Sequence, residues 1–321
     1  MQFVEFPGEE YVESLIAVDC SHPSARQLTH HLKGSAQRNA MNLSLRGDSS
    51  TDAVLNAILS KDDDFKIFKH VTTNHFDIDS FLCVWCAIFS TKAIEHELIL
   101  REAAKIGDFR ELDLGEPFMD QKDVALRLVC WINSIESKMF YEPFESPIAR
   151  ATGERDAMMK FNFFIPNFEA VLLDPMNPKY VVDYEGEYSR VVAEYNALHC
   201  LDDSGTVQIQ TVKECGLVIV SCPDPLHYYS LFSVSSGLDI VVSCYSQNRY
   251  EVELKYTSYV DIFSRGCLPR VDMRPLARFL NRQEKEAAVA QQSNDGTTIA
   301  ISLNIFFCKL QNNILLQFLP I

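Results

Sequence analysis

Residues 72–82, with the sequence Thr-Thr-Asn-His-Phe-Asp-Ile-Asp-Ser-Phe-Leu, constrain the fold of this chain more than any other stretch. The apolar run before them, residues 65–71, predicts a buried strand, and the apolar run over residues 81–89 predicts a buried helix. This order is typical of α/β proteins, in which ligands collect at the carboxyl ends of parallel strands. We therefore expect an α/β fold with a mainly parallel, Rossmann-like sheet flanked by helices, and a second α+β lobe.

Alternate positions of this stretch carry His75, Asp77 and Asp79. In extended backbone, alternate side chains share one face and can point at one place. Neutral imidazole and carboxylates suit Zn or Mn, and carboxylates with water suit Mg or Mn, so the pattern predicts a divalent metal site. The alternative is a helix N-terminus, in which Asp79 or Ser80 caps the helix and Asp77 lies near its positive end. Capping accounts for one acid but not for His75 together with Asp77.

Residues 14–19 predict a short strand that ends in an acid, and three of the protein's eight histidines follow between residues 22 and 31. Two of these, His30 and His31, are candidate catalytic residues, because an imidazole beside a metal can act as a general acid or can orient a metal ligand. Asp48 is a further candidate metal ligand. It stands just before a predicted helix, so Asp48 or either of the two serines after it could instead cap that helix.

Residues 93–105 have the amphipathic pattern of a helix, and Gly107 stands where a helix C-cap is expected. Asp108 would then lie in a loop that could face the same cleft as His75. Asp108 is therefore another candidate metal ligand.

The second half of the chain is rich in β-branched and aromatic residues, which are typical of strands. The predicted strands cover residues 207–212, 216–222, 238–245 and 250–256. Three arginines lie near a loop that contains Pro and Gly, and they could bind the phosphate or carboxylate of a substrate. These arginines are Arg249, Arg265 and Arg270. The alternative is that they are solvated surface residues.

The net charge of −15 over 321 residues argues against general affinity for nucleic acid or membrane, but allows a small anionic molecule as partner. The first residues lack a basic region followed by an apolar core, so we expect a cytoplasmic protein whose ten cysteines are reduced. We expect an α/β lobe over residues 1–175, with a strand over residues 168–174 at its end. An α+β lobe over residues 176–290 and an atypical apolar tail over residues 291–321 would follow.

The last part of the chain, residues 297–321, has Lys309 as its only charged side chain. It shows neither clean alternation nor helix caps, although it could form a last pair of strands. We expect an altered C-terminal end here, such as an alternative transcript that continues into non-native sequence.

Two resemblances to known families rest on these motifs. Residues 74–80, Asn-His-Phe-Asp-Ile-Asp-Ser, resemble the first motif of the DHH phosphoesterase superfamily, in which a strand delivers such ligands to a two-manganese site. Together with residues 100–109 and 268–277, the same stretch is similar to a plant and bacterial family of unknown function. This second resemblance covers most of residues 10–287 and implies no activity.

The DHH resemblance implies a set of metal ligands. They are His75, Asp77 and Asp79, with Asp108 as the later acid. The chain departs from the DHH pattern because it has no Asp-His-His triplet. Its one pair of adjacent histidines, His30 and His31, comes before the motif, and Thr29 stands where an Asp is required.

These observations predict a metal-dependent hydrolase, similar to phosphoesterases, that uses Mn, Zn or Mg on a small anionic substrate. The alternative is a non-catalytic ligand-binding or scaffold protein that keeps the fold. The chain has no Gly-rich dinucleotide or phosphate-binding signature and no Gly-x-Ser-x-Gly motif, which argues against a nucleotide-cofactor enzyme and a serine hydrolase.

Overall fold

A computed structural model describes residues 1–31, 45–117, 119–140, 153–199, 207–246, 249–256, 260–266, 274–275, 290–292 and 298–302. Within these residues the fold is mixed α/β, which confirms the fold class predicted from the sequence. The chain divides into two compact units. The first contains the described residues of Met1–Arg190 and Val260–Gly266, and the second contains those of Val191–Tyr259 and Cys267–Ile321.

The first unit contains a sheet whose four strands all run parallel. The strands are β1 (Gln2–Phe3), β2 (Leu15–Val18), β3 (Arg26–Leu28) and β4 (His70–Thr72), in the order β1-β4-β2-β3. Every residue of β2 is buried, as a continuous apolar run in a parallel sheet predicts. The strand expected over residues 65–71 is confirmed only at its end. Asp62 accepts a hydrogen bond from the Phe65 N–H and thereby starts a short helix there.

The first unit also contains eight α-helices within the described residues, two of them between β3 and β4 and the others after β4. They are α1 (Ser50–Leu59), α2 (Asp63–Lys66), α3 (Ile78–Ile88), α4 (Ser90–Glu95), α5 (Glu97–Phe109), α6 (Met119–Met139), α7 (Gly153–Leu173) and α8 (Pro178–His199), of which α8 enters the second unit at Val191. None of the described helices is long and apolar enough to cross a bilayer.

Helix α3 begins two residues earlier than the capping alternative assumed. Its N-cap is Asp77 rather than Asp79 or Ser80. The Asp77 carboxylate accepts a hydrogen bond from the Ser80 N–H at 2.8 Å, and the Ser80 hydroxyl accepts one from the Asp77 N–H at 2.9 Å. This reciprocal pair satisfies two backbone donors at the start of the helix. Asp79 therefore lies inside the first turn of α3.

Two other predictions of local structure are wrong. Gly107 does not end a helix, because α5 continues through it to Phe109 and places Asp108 in its last turn rather than in a loop. Residues 168–174 do not form a strand, because they end α7, which passes through Pro166. Phe161, Phe164 and Phe168 recur at helical spacing on α7 and are fully buried, so core packing overrides the local β propensity.

The second unit contains a mixed sheet and a short helix. The elements are β5 (Gln208–Val212), β6 (Leu217–Ser221), α9 (Tyr228–Ser233), β7 (Ile240–Tyr245), β8 (Arg249–Leu254), β9 (Ala290–Gln292) and β10 (Thr298–Ser302). Strands β6 and β7 are parallel, and the other pairs in the order β5-β6-β7-β8-β10-β9 are antiparallel. The strands predicted between residues 207 and 256 are thus confirmed. Of the expected apolar tail, residues 298–302 pair with β8 as strand β10.

Candidate metal centre

Carboxylate and imidazole groups meet where three neighbouring parallel strands end. We call this cluster the candidate metal centre. Its residues are Asp19, His30, His31, His75, Asp77, Asp79 and Asp108. Asp19 directly follows β2, the histidine pair follows β3, and the His75 motif follows β4, so the sheet order brings three loops to one edge. The two remaining acids come from the first turn of α3 and the last turn of α5.

Asp19 lies at the middle of the candidate metal centre and is almost fully buried. Its Oδ1 atom is 3.2 Å from Nε2 of His31 and 3.5 Å from Nε2 of His30. Its Oδ2 atom is 3.3 Å from Nε2 of His75, which is itself 3.1 Å from Oδ2 of Asp77. The two oxygens of one carboxylate therefore face two groups of ligand atoms, and each group is compact enough to hold a metal ion.

The ring of His30 is oriented by the backbone. Its Nδ1 atom is 2.7 Å from the carbonyl oxygen of Asp48, to which an Nδ1–H group donates. This hydrogen bond leaves the lone pair of Nε2 pointing into the cluster. Nε2 of His31 lies 3.1 Å from this nitrogen, and carboxylate oxygens of Asp19, Asp79 and Asp108 lie within 3.5 to 3.8 Å. A lone pair that faces oxygens in this way is the arrangement of a metal-ligating histidine, held by a hydrogen bond at its other nitrogen.

Asp108 supplies a further sign that a cation belongs here. Its Oδ2 atom is buried and makes no hydrogen bond. Buried polar atoms without a partner are rare in native proteins, and a bound ion is one explanation for them. Nε2 of His30 lies 3.5 Å from this oxygen. The residues therefore fit a bound divalent cation.

Asp79 differs from the other acids because backbone N–H groups donate to both of its oxygens. The N–H of Ser50 donates to Oδ2 at 2.8 Å, and the N–H of Thr51 donates to Oδ1 at 2.9 Å. Both donors lie in the first turn of α1, where backbone N–H groups have no partner within the helix. The buried carboxylate of Asp79 thus joins the N-terminus of α1 to the N-terminus of α3.

The carboxylates of the cluster have divergent acidities. Burial works to raise the pKa of Asp19, but hydrogen bonds from His31 and His75 hold this pKa well below the ordinary value of Asp. Burial and the charge of Asp19 raise the pKa of Asp79 well above its ordinary value. The pKa of Asp108 is also well raised, by burial and by the charge of Asp79. Without a cation, the buried side of the centre therefore favours protonated acids.

The pKa values of His30 and His75 are shifted in opposite directions. Burial lowers the pKa of His30 to about 4, which keeps its imidazole neutral at neutral pH and available as a ligand. Burial works in the same direction at His75, but the charge of Asp77 and the hydrogen bond with Asp19 raise the pKa of His75 to about 12. A positive charge is thus strongly favoured beside Asp19 and Asp77, whether it is a proton on His75 or a bound cation.

One side of the candidate metal centre is open to solvent. The side chains of His75 and Asp77 are 40% and 48% exposed, and that of His31 is 21% exposed. Phe76, between the first two, is held by ring contacts with Phe161 and Phe164, whose centroids each lie 5.1 Å from its own. The centre therefore faces solvent where the His75 motif turns, and that turn packs against α7.

Three of the remaining predicted site residues pair with groups that are not among the seven residues of the cluster. The Asp48 carboxylate accepts hydrogen bonds from the N–H and the hydroxyl of Ser264, at 2.7 and 2.6 Å, and belongs to none of the three possible ligand groups. Arg265 pairs with Glu111 at 2.9 Å. Arg249, in the second unit, pairs with Glu251. Arg270 lies outside the described residues.

Sequence reasoning missed the central residue of the cluster. In the sequence, Asp19 is only the acid that ends a predicted strand. A carboxylate directly after a buried apolar strand is nevertheless a signal of a ligand-binding site. Ser50 was considered only as a helix cap, yet its hydroxyl donates to Oδ1 of Asp19 at 2.6 Å.

Comparison with known proteins adds a family but no activity. A family model described as a family of unknown function, DUF6687, matches residues 1–303. No curated protein and no solved structure matches the chain.

Proposed function

The chain belongs to DUF6687, whose function is unknown, and we propose its function from the geometry of the candidate metal centre. We propose a metal-dependent hydrolase, similar to phosphoesterases, that acts on a small anionic molecule. The observation that carries this proposal is the position of Asp19, whose two oxygens face His31 and His75 at 3.2 and 3.3 Å. The resemblance of residues 74–80 to the first DHH motif supports a phosphoester as the substrate class.

Two groups of residues would hold cations on either side of Asp19. The open group contains His75 and Asp77 with Asp19. The deeper group contains His30, either with Asp19 and His31 or with Asp79 and Asp108. The four aspartates of the centre, when ionised, would balance the charge of two divalent ions. A divalent ion bound there lowers the pKa of a bound water and offsets negative charge that develops in the transition state.

The chain's own residues would orient the substrate and move a proton. His31 is partly exposed, and its Nε2 atom is 3.2 Å from Asp19, which can hold its imidazolium in place. When the deeper cation is held by His30, Asp79 and Asp108, His31 is not a ligand and suits the role of general acid toward the leaving group. His30, which is buried and fixed through the Asp48 carbonyl, suits the role of a ligand instead.

The first experiment is elemental analysis of the purified protein beside a His75→Ala, Asp77→Ala double variant. We expect bound Mn, Zn or Mg in the wild type and a loss of that metal in the double variant, with the fold retained by circular dichroism. Asp48→Ala is the matched control, because its carboxylate binds Ser264 and its carbonyl group remains. This control should keep the metal.

Hydrolysis is then measured with p-nitrophenyl phosphate and bis(p-nitrophenyl) phosphate, with added Mn²⁺. We expect release of p-nitrophenol that depends on the metal and is lost in the double variant. A protein that binds metal but hydrolyses neither compound nor other small phosphoesters would be a binding protein rather than a hydrolase. A wild type that holds no metal, even after incubation with Mn²⁺ and Zn²⁺, would overturn the proposal altogether.

A further inference from the structure

The start of α1 contains two consecutive serines, of which only the first caps the helix. The Ser49 hydroxyl accepts a hydrogen bond from the Asp52 N–H at 3.0 Å, and the Asp52 carboxylate accepts one from the Ser49 N–H at 3.2 Å. This capping box satisfies two backbone donors at the helix start without the Ser50 hydroxyl. The hydroxyl of Ser50 is therefore not needed for the helix, although Ser50 is fully buried.

Ser50 instead contacts three separate parts of the candidate metal centre. Its hydroxyl donates to Oδ1 of Asp19 at 2.6 Å and accepts a hydrogen bond from the His30 N–H at 3.1 Å. Its own N–H donates to Oδ2 of Asp79 at 2.8 Å. One small side chain and its backbone thus connect the end of β2, the segment after β3 and the first turn of α3.

We propose that Ser50 is a positioning residue of the candidate metal centre, where its hydroxyl sets the plane of the Asp19 carboxylate. This inference rests on the proposed metal-binding function. Asp19 must present Oδ1 to His30 and His31 while Oδ2 faces His75. A carboxylate can rotate about its last bond, and the 2.6 Å hydrogen bond from Ser50 holds the rotation at which both groups of ligands are complete.

The Ser50 hydroxyl also couples the orientation of the Asp19 carboxylate to the position of the His30 backbone. The His30 N–H donates to the same oxygen that donates to Asp19, so the loop after β3 cannot shift without disturbing that carboxylate. Hydrogen-bond partners that orient metal ligands in this way typically change metal affinity by about 10- to 100-fold when they are removed. We expect a change of that size for Ser50.

The test compares Ser50→Ala with Ser49→Ala, its matched control one residue away. We expect Ser50→Ala to bind Mn²⁺ about 10- to 100-fold more weakly by isothermal titration calorimetry. Ser49→Ala should lower the melting temperature by loss of the cap but keep the wild-type affinity for Mn²⁺. The visible absorption of bound Co²⁺ should change in Ser50→Ala and stay unchanged in Ser49→Ala. If Ser50→Ala does not fold, Ser50→Gly also removes the hydroxyl and adds no group that can bind a metal.

The outcomes separate this inference from the proposed function. Wild-type affinity and an unchanged Co²⁺ spectrum in the Ser50 variant would overturn the positioning role and leave metal binding by the wild type intact. Equal weakening in both serine variants would show that the start of α1 acts as a whole, which also overturns it. A wild type that binds neither Mn²⁺ nor Co²⁺ would overturn the proposed function, and the role of Ser50 with it.

Discussion

At the scale of single residues, Asp77 and Asp79 perform different tasks although they stand two positions apart. Asp77 is about half exposed, caps α3 through Ser80 and faces His75 at the open side of the centre. Asp79 is fully buried, and its two oxygens accept N–H groups from the start of α1. The two alternating aspartates therefore have different roles. Asp77 is a candidate metal ligand at the open side, and Asp79 links α1 to α3.

This difference predicts opposite results for two isosteric substitutions. Asp79→Asn should lower the free energy of unfolding by about 1–3 kcal/mol, because an amide can accept only one of the two N–H groups and leaves the other buried donor unpaired. Asp77→Asn should change stability little, because Asn caps helices about as well as Asp. Urea unfolding measures both changes, and a larger loss in Asp77→Asn would contradict this assignment.

Asp77→Asn should also change the affinity for metal. Asp77→Asn removes a charge from the open group of ligands, so it should weaken Mn²⁺ binding while the protein stays folded. Isothermal titration calorimetry measures this change, with Asp63→Asn as a control on an exposed aspartate that pairs with Lys66. Equal affinity in Asp77→Asn and the wild type would remove Asp77 from the set of ligands.

At the scale of elements, the centre depends on the close approach of α3 and α5. Gly107 makes this approach possible, because a Cβ atom added there would lie 2.5 Å from the Cβ atom of Ile78. Ile78 opens α3, and Gly107 immediately precedes Asp108. The glycine inside α5 thus brings the last turn of that helix to the candidate metal centre.

Gly107→Ala should therefore destabilise the protein by about 1–3 kcal/mol, because the new methyl group would overlap the Cβ atom of Ile78 where α3 and α5 are in contact. It should also weaken metal binding, because Asp108 must move with α5. Gly186→Ala is the matched control, since nothing lies within 4 Å of a Cβ atom at that position in α8. The control should gain roughly 0.5–1 kcal/mol from higher helix propensity. Thermal unfolding that ranks the two variants in the reverse order would contradict this packing.

At the scale of the whole molecule, a bound ion should stabilise the fold, because the unfolded chain has no preformed centre. Free Mn²⁺ at 100 times its dissociation constant should add about 2.7 kcal/mol to the free energy of unfolding. The measurement is the melting temperature with Mn²⁺ and with a chelator. Asp19→Ala should show a much smaller shift, because it removes the carboxylate that two of the three possible ligand groups share. Equal shifts in the wild type and in Asp19→Ala would place the ion elsewhere.

The sequence predicts the parts of this arrangement that depend on residues close together in the chain. The strand before Asp19, the helix after Ser49 and the alternating His75 motif follow from short patterns of polarity and capping. The meeting of Asp19 with His75 follows from β2 lying beside β4, and no short pattern encodes that strand order. Gly107 illustrates the same limit, because its role depends on Ile78 of another helix rather than on its neighbours in the chain.

Asp19 also has a backbone in the left-handed region, with φ of 51°. Among residues other than Gly, this region is visited most readily by Asn and Asp. Of the residues that tolerate the conformation, only Asp carries a carboxylate, so position 19 accepts one residue type for two independent reasons. A longer acid such as Glu would keep the charge but meet the backbone penalty. In natural variation or a saturation library, position 19 should therefore be far less permissive than Asp77, where the backbone is extended.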